Sequence, residues 1–313
     1  MSNQEKLLTI SIDTECDHRP DWSRSAPLSF RNIVSGIPDK LQPVFRAAGA
    51  IPTYLLTVEV LEDEECVSAL KAVSSDPCEF GTHLHAAFIE PEKKYYDYSG
   101  VDSPDFQCSY AADIEFQKLA NLTDLFAERF AYAPRSFRAG RYGAGPNTLI
   151  SLEKLNYEVD TSVTPSMQWS DPKQSVDFRK APLQPYTPHI DDIAHKADVG
   201  SREILEVPIT MRPRFGRSPQ WLRPWFSDFE TMKRVVQLHL RRYADEPLLV
   251  LNMMFHSMEV IPEASPYPQS DSDVRKFLSQ LSQILDWCAE LGFENSRLCD
   301  VRERYLAAAH HVR

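Results

Sequence analysis

Glycine is scarce in this chain: ten residues in 313, against twenty-three prolines. That ratio excludes Gly-rich linkers and points to long loops stiffened by proline. Long hydrophobic runs are missing too. Nothing approaches the roughly 18–20 consecutive apolar residues that a membrane-crossing helix needs, so no membrane span is expected. Cysteine is thinly spread over Cys16, Cys66, Cys78, Cys108, Cys288 and Cys299, with no C-x-x-C pair, which excludes a zinc ribbon or a disulfide framework. Positive charge is also in short supply. Thirty-four Lys and Arg against forty-five Asp and Glu leave a net charge of −11, which argues against broad contact with nucleic acid or an anionic membrane. The first six residues hold no basic segment followed by a long apolar one, so a soluble, cytoplasmic protein is expected. No internal repeat or low-complexity segment occurs.

The chain has ordinary globular content, 42% hydrophobic and 25% charged. Its length suffices for one large α/β barrel or two average domains. Leu7 to Ile12 reads as a short buried strand, and it runs into Asp13 and Glu15. In extended backbone that i, i+2 spacing puts both carboxylates on one face. Two like charges held together need a metal, a cation or a shared proton.

Strand and helix signals then alternate about seven times. Asp39 is placed to cap a helix carrying Leu41, Val44, Phe45 and Ala48, with Gly49 as its stop. Strands follow at Ile51 to Leu56, Cys78 to Thr82, Pro134 to Phe137, Tyr157 to Val159, Ile204 to Thr210 and Leu248 to Phe255. Helices are expected over Glu62 to Val73, Asp113 to Phe130, from Pro146, from the Ser227-Asp228-Phe229-Glu230 capping box to about Tyr243, and over Asp273 to Leu291. Residues 86 to 112 form a long loop rich in aromatics (Tyr95, Tyr96, Tyr98, Phe106, Tyr110), a length usual for binding loops. Residues 166 to 202 show little periodicity. The alternation predicts a parallel sheet with crossover helices, closed or nearly closed into a barrel, within a single domain.

Five of the expected strands deliver a titratable or cationic group at the C-terminal end, where α/β barrels carry their active sites: Asp13 and Glu15, His83 and His85, Arg138, Asp160, and His256. Singly, each has an ordinary reading as a loop or capping residue. Together they suggest metal-assisted hydrolysis. Two imidazoles and a carboxylate suit Zn²⁺ or a similar divalent ion with a position open for water. A second carboxylate can then act as general base and a remote His as general acid.

The ordered set Ile12-Asp13-Thr14-Glu15, Gly81-Thr82-His83-Leu84-His85, Phe137-Arg138-Ala139-Gly140-Arg141-Tyr142-Gly143, Asp160-Thr161-Ser162-Val163 and Phe255-His256-Ser257 resembles the NodB-type polysaccharide deacetylases, carbohydrate esterase family 4. The likeness spans roughly residues 7 to 300 with all motifs in family order. Ser265-Pro266-Tyr267 is similar to a branch associated with bacterial surface-glycan biosynthesis. The resemblance implies a distorted (β/α)₇ barrel and metal-dependent removal of an N-acetyl group from an amino sugar or glycan precursor. It implies Asp13 as base, His256 as acid, and Arg138 as the arginine that orients the base. Asp160 becomes a supporting carboxylate, here expected as the anionic neighbour of His256 on the far side of the scissile amide from Asp13. Glu15, His83 and His85 become the metal ligands, for one Zn²⁺ or else Co²⁺, Ni²⁺ or Mn²⁺, and Arg141 and Tyr142 bind substrate. The family's second metal His falls four residues after the first, a place taken here by Ala87, so His85 is its substitute. Two alternatives keep the fold: a hydrolase of a small non-sugar amide, and a catalytically silent glycan-binding or assembly protein.

Overall fold

The computed structural model describes residues 4–93, 106–170 and 174–310. Its framework is a curled parallel sheet. The strands are β1 (Glu5–Thr14), β2 (Pro52–Leu56), β3 (Glu79–Leu84), β4 (Ser136–Ala139), β5 (Val159–Asp160), β6 (Leu205–Glu206), β7 (Leu248–His256) and β8 (Glu294–Asn295). They lie in the order β6-β5-β4-β3-β2-β1-β7, with β8 beside the first half of β1. Helices pack around them: α1 (Gln42–Ala48), α2 (Val58–Glu62), α3 (Glu64–Val73), α4 (Ala112–Phe130), α5 (Pro146–Lys154), α6 (Phe229–Arg242), α7 (Asp271–Glu290) and α8 (Val301–His310). This is a distorted (β/α)₇ barrel.

β1 and β7 form the longest pairing, in register from Glu5 opposite Leu248 to Asp13 opposite His256. β1 therefore extends two residues beyond the expected Leu7–Ile12 at each end, because both flanks find a partner strand. Strands buried on both faces lose their apolar alternation, and residues Leu7 to Thr14 are buried throughout. β7 reads as continuously apolar, yet its one amide, Asn252, closes the barrel. β6 and β7 share no regular ladder. Instead Asn252 Nδ2 donates to Thr161 Oγ1 (2.7 Å) and to the Val207 carbonyl (3.2 Å). The Thr210 amide donates to the Asn252 carbonyl at 3.0 Å, and the Asn252 amide to Thr210 Oγ1 at 2.7 Å. Pro208 lacks a donor and stops β6 after two residues, so side chains do the closing.

Two expected helix starts are displaced. Helical backbone begins not at Asp39 but near Asn32, as a π-helical stretch over Asn32–Leu41 that accommodates Pro38 and passes into α1. The start is set by Asp17, whose carboxylate accepts from the amides of Arg31 (3.1 Å) and Asn32 (3.1 Å), a cap too distant in sequence to read locally. The expected helix from Glu62 to Val73 divides at Asp63, which caps α3 by accepting from the Cys66 amide at 2.8 Å. The Pro- and Asp-rich span from 166 to 202 holds short antiparallel ribbons at Gln168–Ser170 with Ser175–Asp177 and at Pro188–His189 with Asp192–Lys196. Of the aromatic loop, Tyr95, Tyr96 and Tyr98 lie outside the described residues. Among the described residues no helix is long and apolar enough to cross a membrane.

Candidate active site

Parallel register brings the strand ends into one layer: Asp13 beside His256, His83 beside Arg138, and Asp160 beside Phe137 and Glu206. A cavity of about 360 Å³ opens above this layer, lined by Asp13, Glu15, His83, His85, His256 and a wall of aromatic side chains.

Arg138 is fully buried and lies beneath the cavity floor. Its Nη1 donates to Asp13 Oδ1 at 2.5 Å, its Nη2 to Ser11 Oγ at 2.5 Å, and its Nε to the Thr161 carbonyl at 3.0 Å. A buried charge fixed by this many bonds cannot swing, so it aims Asp13 with Oδ2 toward the cavity. Burial works to raise the Asp13 pKa. The Arg138 guanidinium, with His83 and His256 beside it, outweighs burial and holds the carboxyl below its ordinary range.

Glu15 stands at the centre of a ring of nitrogens. His83 Nε2 is 3.4 Å from its Oε1, His85 Nε2 is 3.5 Å from its Oε2, and His256 Nε2 is 3.9 Å from its Oε1. Burial again pushes the pKa up, but His85 and His83 hold it well below the usual carboxylate range. His83 Nδ1 lies 2.9 Å from the Arg138 carbonyl, an acceptor, so Nδ1 carries the hydrogen and Nε2 keeps its lone pair for the cavity. Burial lowers the His83 pKa and the Asp13 and Glu15 carboxylates raise it, with a net rise. For His85 burial wins over Glu15 and the pKa falls. Gly140 makes room for the His85 ring: a Cβ there would sit 2.9 Å from His85 Nδ1 and 2.6 Å from the Leu84 carbonyl oxygen.

The donor set fits a divalent ion. Four ligands about 2.0–2.2 Å from one tetrahedral ion are separated by roughly 3.3–3.6 Å. Glu15, His83 and His85 converge closely enough to share an ion, His83 Nε2 standing 3.4 Å from Oε1 and His85 Nε2 3.5 Å from Oε2, each longer than a good hydrogen bond. His85 Nε2 is buried and has no hydrogen-bond partner among the described residues, an orphan that a cation would satisfy. Asp13, Glu15 and His256 also converge closely enough to share an ion.

His256 differs from expectation in two respects. Its anionic neighbour is Glu259, not Asp160. Nδ1 lies 3.0 Å from Glu259 Oε1, the same oxygen accepts from the His256 amide at 3.1 Å, and it also accepts from Arg223 Nη2. The turn Ser257–Val260 folds Glu259 back over three residues, so the spacing His256-Ser257-Met258-Glu259 is the readable signal. Burial would raise the Glu259 pKa; Arg223 and His256 outweigh it and keep the carboxylate below its usual range. Secondly, His256 Nε2 is 3.8 Å from Asp13 Oδ2. The two residues are direct neighbours on adjacent strands, and paired side chains on one face of a sheet stand close. A scissile group must therefore sit above both rather than between them.

Asp160 does not reach the cavity. It accepts from Ser162 Oγ at 2.6 Å and neighbours Glu206 across the sheet. Burial, against the Ser162 bond, pushes its pKa up to about 6. Ser162 in turn receives the Ala139 amide at 2.9 Å, so Asp160 braces the strand end carrying Arg138. Arg141 and Tyr142 both line the cavity, and both adopt positive φ, 55° and 62°. That backbone state is disfavoured for side chains of this size. Tyr142 packs on Trp169 with ring centroids 5.1 Å apart. Sequence reasoning missed His18, Trp22, Arg24 and Arg223, which also line the cavity.

No protein-family model matches this chain, and no curated protein matches it by sequence. Solved structures do. The chain is similar to Puue allantoinase at 13% identity, covering 96% of this chain and 89% of that one with a TM-score of 0.57. It is similar to a GH57-type branching enzyme from Pyrococcus horikoshii at 10% identity, covering 96% and 70% with a TM-score of 0.51. Polysaccharide deacetylases are among its neighbours too. One is the peptidoglycan deacetylase PdaC from Bacillus subtilis: 8% identity, 99% of this chain and 96% of that one, TM-score 0.45. At these identities the shared property is the fold.

Proposed function

We propose that this chain is a metal-dependent hydrolase that removes the N-acetyl group from an amino sugar or a glycan precursor. The observation that carries the reading is the in-register pair Asp13 and His256, each held from behind by a buried ion partner, beside the Glu15, His83 and His85 cluster. Zn²⁺ suits two imidazoles and a carboxylate, and Co²⁺, Ni²⁺ or Mn²⁺ are the other candidates. Bound by Glu15, His83 and His85, such an ion supplies Lewis acidity to an amide carbonyl and acidity to water.

The chain's own residues supply the proton transfers. Asp13 Oδ1 is taken by Arg138, so Oδ2 accepts the proton of the attacking water. Water oxygen bonds to the carbonyl carbon, and the C–N bond then breaks to give acetate and a free amine. His256, with Nδ1 on Glu259, delivers a proton from Nε2 to the departing nitrogen. Arg141, Tyr142 and the aromatic wall hold the sugar ring. A small non-sugar amide is the second reading, favoured by the cavity volume of about 360 Å³, near the lower end of the roughly 300–1,000 Å³ range of ligand sites.

The test is acetate release from a panel of N-acetylated sugars and small amides by Zn²⁺-loaded protein. Asp13→Asn should keep its metal and lose about 10²–10⁴-fold in turnover, the worth of a positioned base. Unchanged turnover in that variant, or no acetate from any N-acetyl sugar, overturns the reading.

A further inference from the structure

We propose that the hairpin over residues 211–221 docks this protein on the surface of an anionic lipid bilayer, its exposed tip entering the headgroup layer. The proposal goes beyond the hydrolase reading and does not depend on it. Between Glu206 and Asp228 the chain carries four arginines and four aromatic residues, and no Asp or Glu. In a chain of net charge −11 that is a local inversion of sign. At roughly 0.1 M salt a charge is felt over only about 10 Å, so an approaching surface meets the patch and not the total. The acidic balance opposes broad adhesion and is compatible with adhesion through one basic hairpin.

The base of the hairpin is fixed and its tip is bare. Met211 and Arg212 pair with Trp221 and Gln220 in antiparallel register. Arg212 Nη1 donates to Gln220 Oε1 at 2.6 Å and the Leu222 amide to the Thr210 carbonyl at 3.0 Å, while His239 Nε2 lies 3.0 Å from the Met211 carbonyl. Pro213 and Pro219 stiffen the two arms of the loop. At the tip Phe215 is fully exposed. Neither Arg214 nor Arg217 beside it has an ion-pair partner among the described residues. Single exposed apolar residues are ordinary. Here two of the four large exposed ones, Phe215 and Phe226, fall in this one segment. Phe215 makes no ring contact among the described residues, so it forms no platform or groove for a sugar polymer. A lone apolar ring between cations suits a fluid interface: the ring enters the acyl boundary and the guanidinium groups meet lipid phosphates. Trp221, on the second arm, and Phe226 both line the cavity, so the docked hairpin holds the cavity mouth near the bilayer.

The experiment sediments the full chain with vesicles of phosphatidylserine and phosphatidylcholine, and with vesicles of phosphatidylcholine alone. Retention on immobilised dextran sulfate is measured beside it. Wild type should pellet with the mixed vesicles and not with the neutral ones. Phe215→Ser should lower that partition on the order of 10-fold, the worth of taking one aromatic ring out of water. Arg214→Gln and Arg217→Gln should each lower it roughly 5-fold, and added salt should weaken wild type further. All three positions are at the tip, so thermal melting should match wild type and serves as the folding control. Wild type that ignores the mixed vesicles overturns the proposal, and so does Phe215→Ser that pellets like wild type. Retention on dextran sulfate without vesicle binding also overturns it, and assigns the patch to a soluble polyanion instead.

Discussion

Glu79 and Glu15 are both buried carboxylates, one opening a barrel strand and the other just past the end of one, and they are held in opposite ways. Glu79 opens β3 at the floor. It accepts from Ser136 Oγ at 2.6 Å, Thr53 Oγ1 at 2.9 Å and the Cys299 amide at 3.1 Å. Glu15 follows β1 at the rim, and its nearest nitrogens, from His83 and Arg24, stand at 3.4 Å. Burial raises the Glu79 pKa despite its three donors, whereas the imidazoles around Glu15 overcome burial and lower that of Glu15. Short bonds to neutral donors mark a carboxylate that ties strands together. Converging nitrogens kept at a distance mark one with room for a cation.

The contrast breaks most sharply at the rim. Glu15→Gln or His83→Ala should lower divalent-metal affinity by more than the roughly 10–100-fold cost of disturbing an outer-shell partner, read by elemental analysis after dialysis. Glu79→Ala should leave metal content unchanged. If Glu79→Ala loses metal and Glu15→Gln keeps it, the two carboxylates have been assigned to the wrong roles.

At the floor the expected effect is on stability. Glu79→Ala strands the Cys299 amide and two hydroxyls, and should cost about 1–3 kcal/mol in denaturant unfolding of the metal-free protein. A midpoint equal to wild type would show that water replaces those bonds.

An effect confined to one pH range concerns a third buried carboxylate, Glu115 on α4, which accepts from Thr148 Oγ1 and from Gln107 Nε2 at 3.1 Å. Burial, opposed by those two bonds, lifts its pKa from 4.5 to about 7. The folded state therefore binds more protons than the unfolded chain between those values. Its contribution to stability is complete below pH 4.5 and declines as pH rises through about 7. Glu115→Gln should flatten that part of the stability–pH curve by at most roughly 3 kcal/mol. An unaltered slope would place the pH dependence elsewhere.

Much of this is legible in one dimension because it is local. β1 and β7 carry largely apolar segments, Leu7 to Ile12 and Leu248 to Phe255, and each runs directly into its functional group, Asp13 and His256. His83 and His85 follow from alternation along an extended segment, which puts i and i+2 on one face. Pro146 opens α5, and Gly292 follows α7 with a φ of 79°. Both are where their backbone chemistry requires them.

What the tertiary structure alone decided is which distant groups meet. Arg138 reaches Asp13 across 125 residues, and Arg223 reaches Glu259 across 36, through register and loop paths that no spacing encodes. Asp160 is expected beside His256, yet its carboxylate is held by Ser162 Oγ beside Glu206, while the turn after β7 brings Glu259 to His256 instead. His18 has the sequence surroundings of an ordinary loop residue, and only the fold brings it to the cavity wall. Side-chain type and periodicity are properties of the chain, so the sequence determined the strands and the chemistry at their ends. Proximity between charges depends on how the sheet curls, and that is a property of the packed whole.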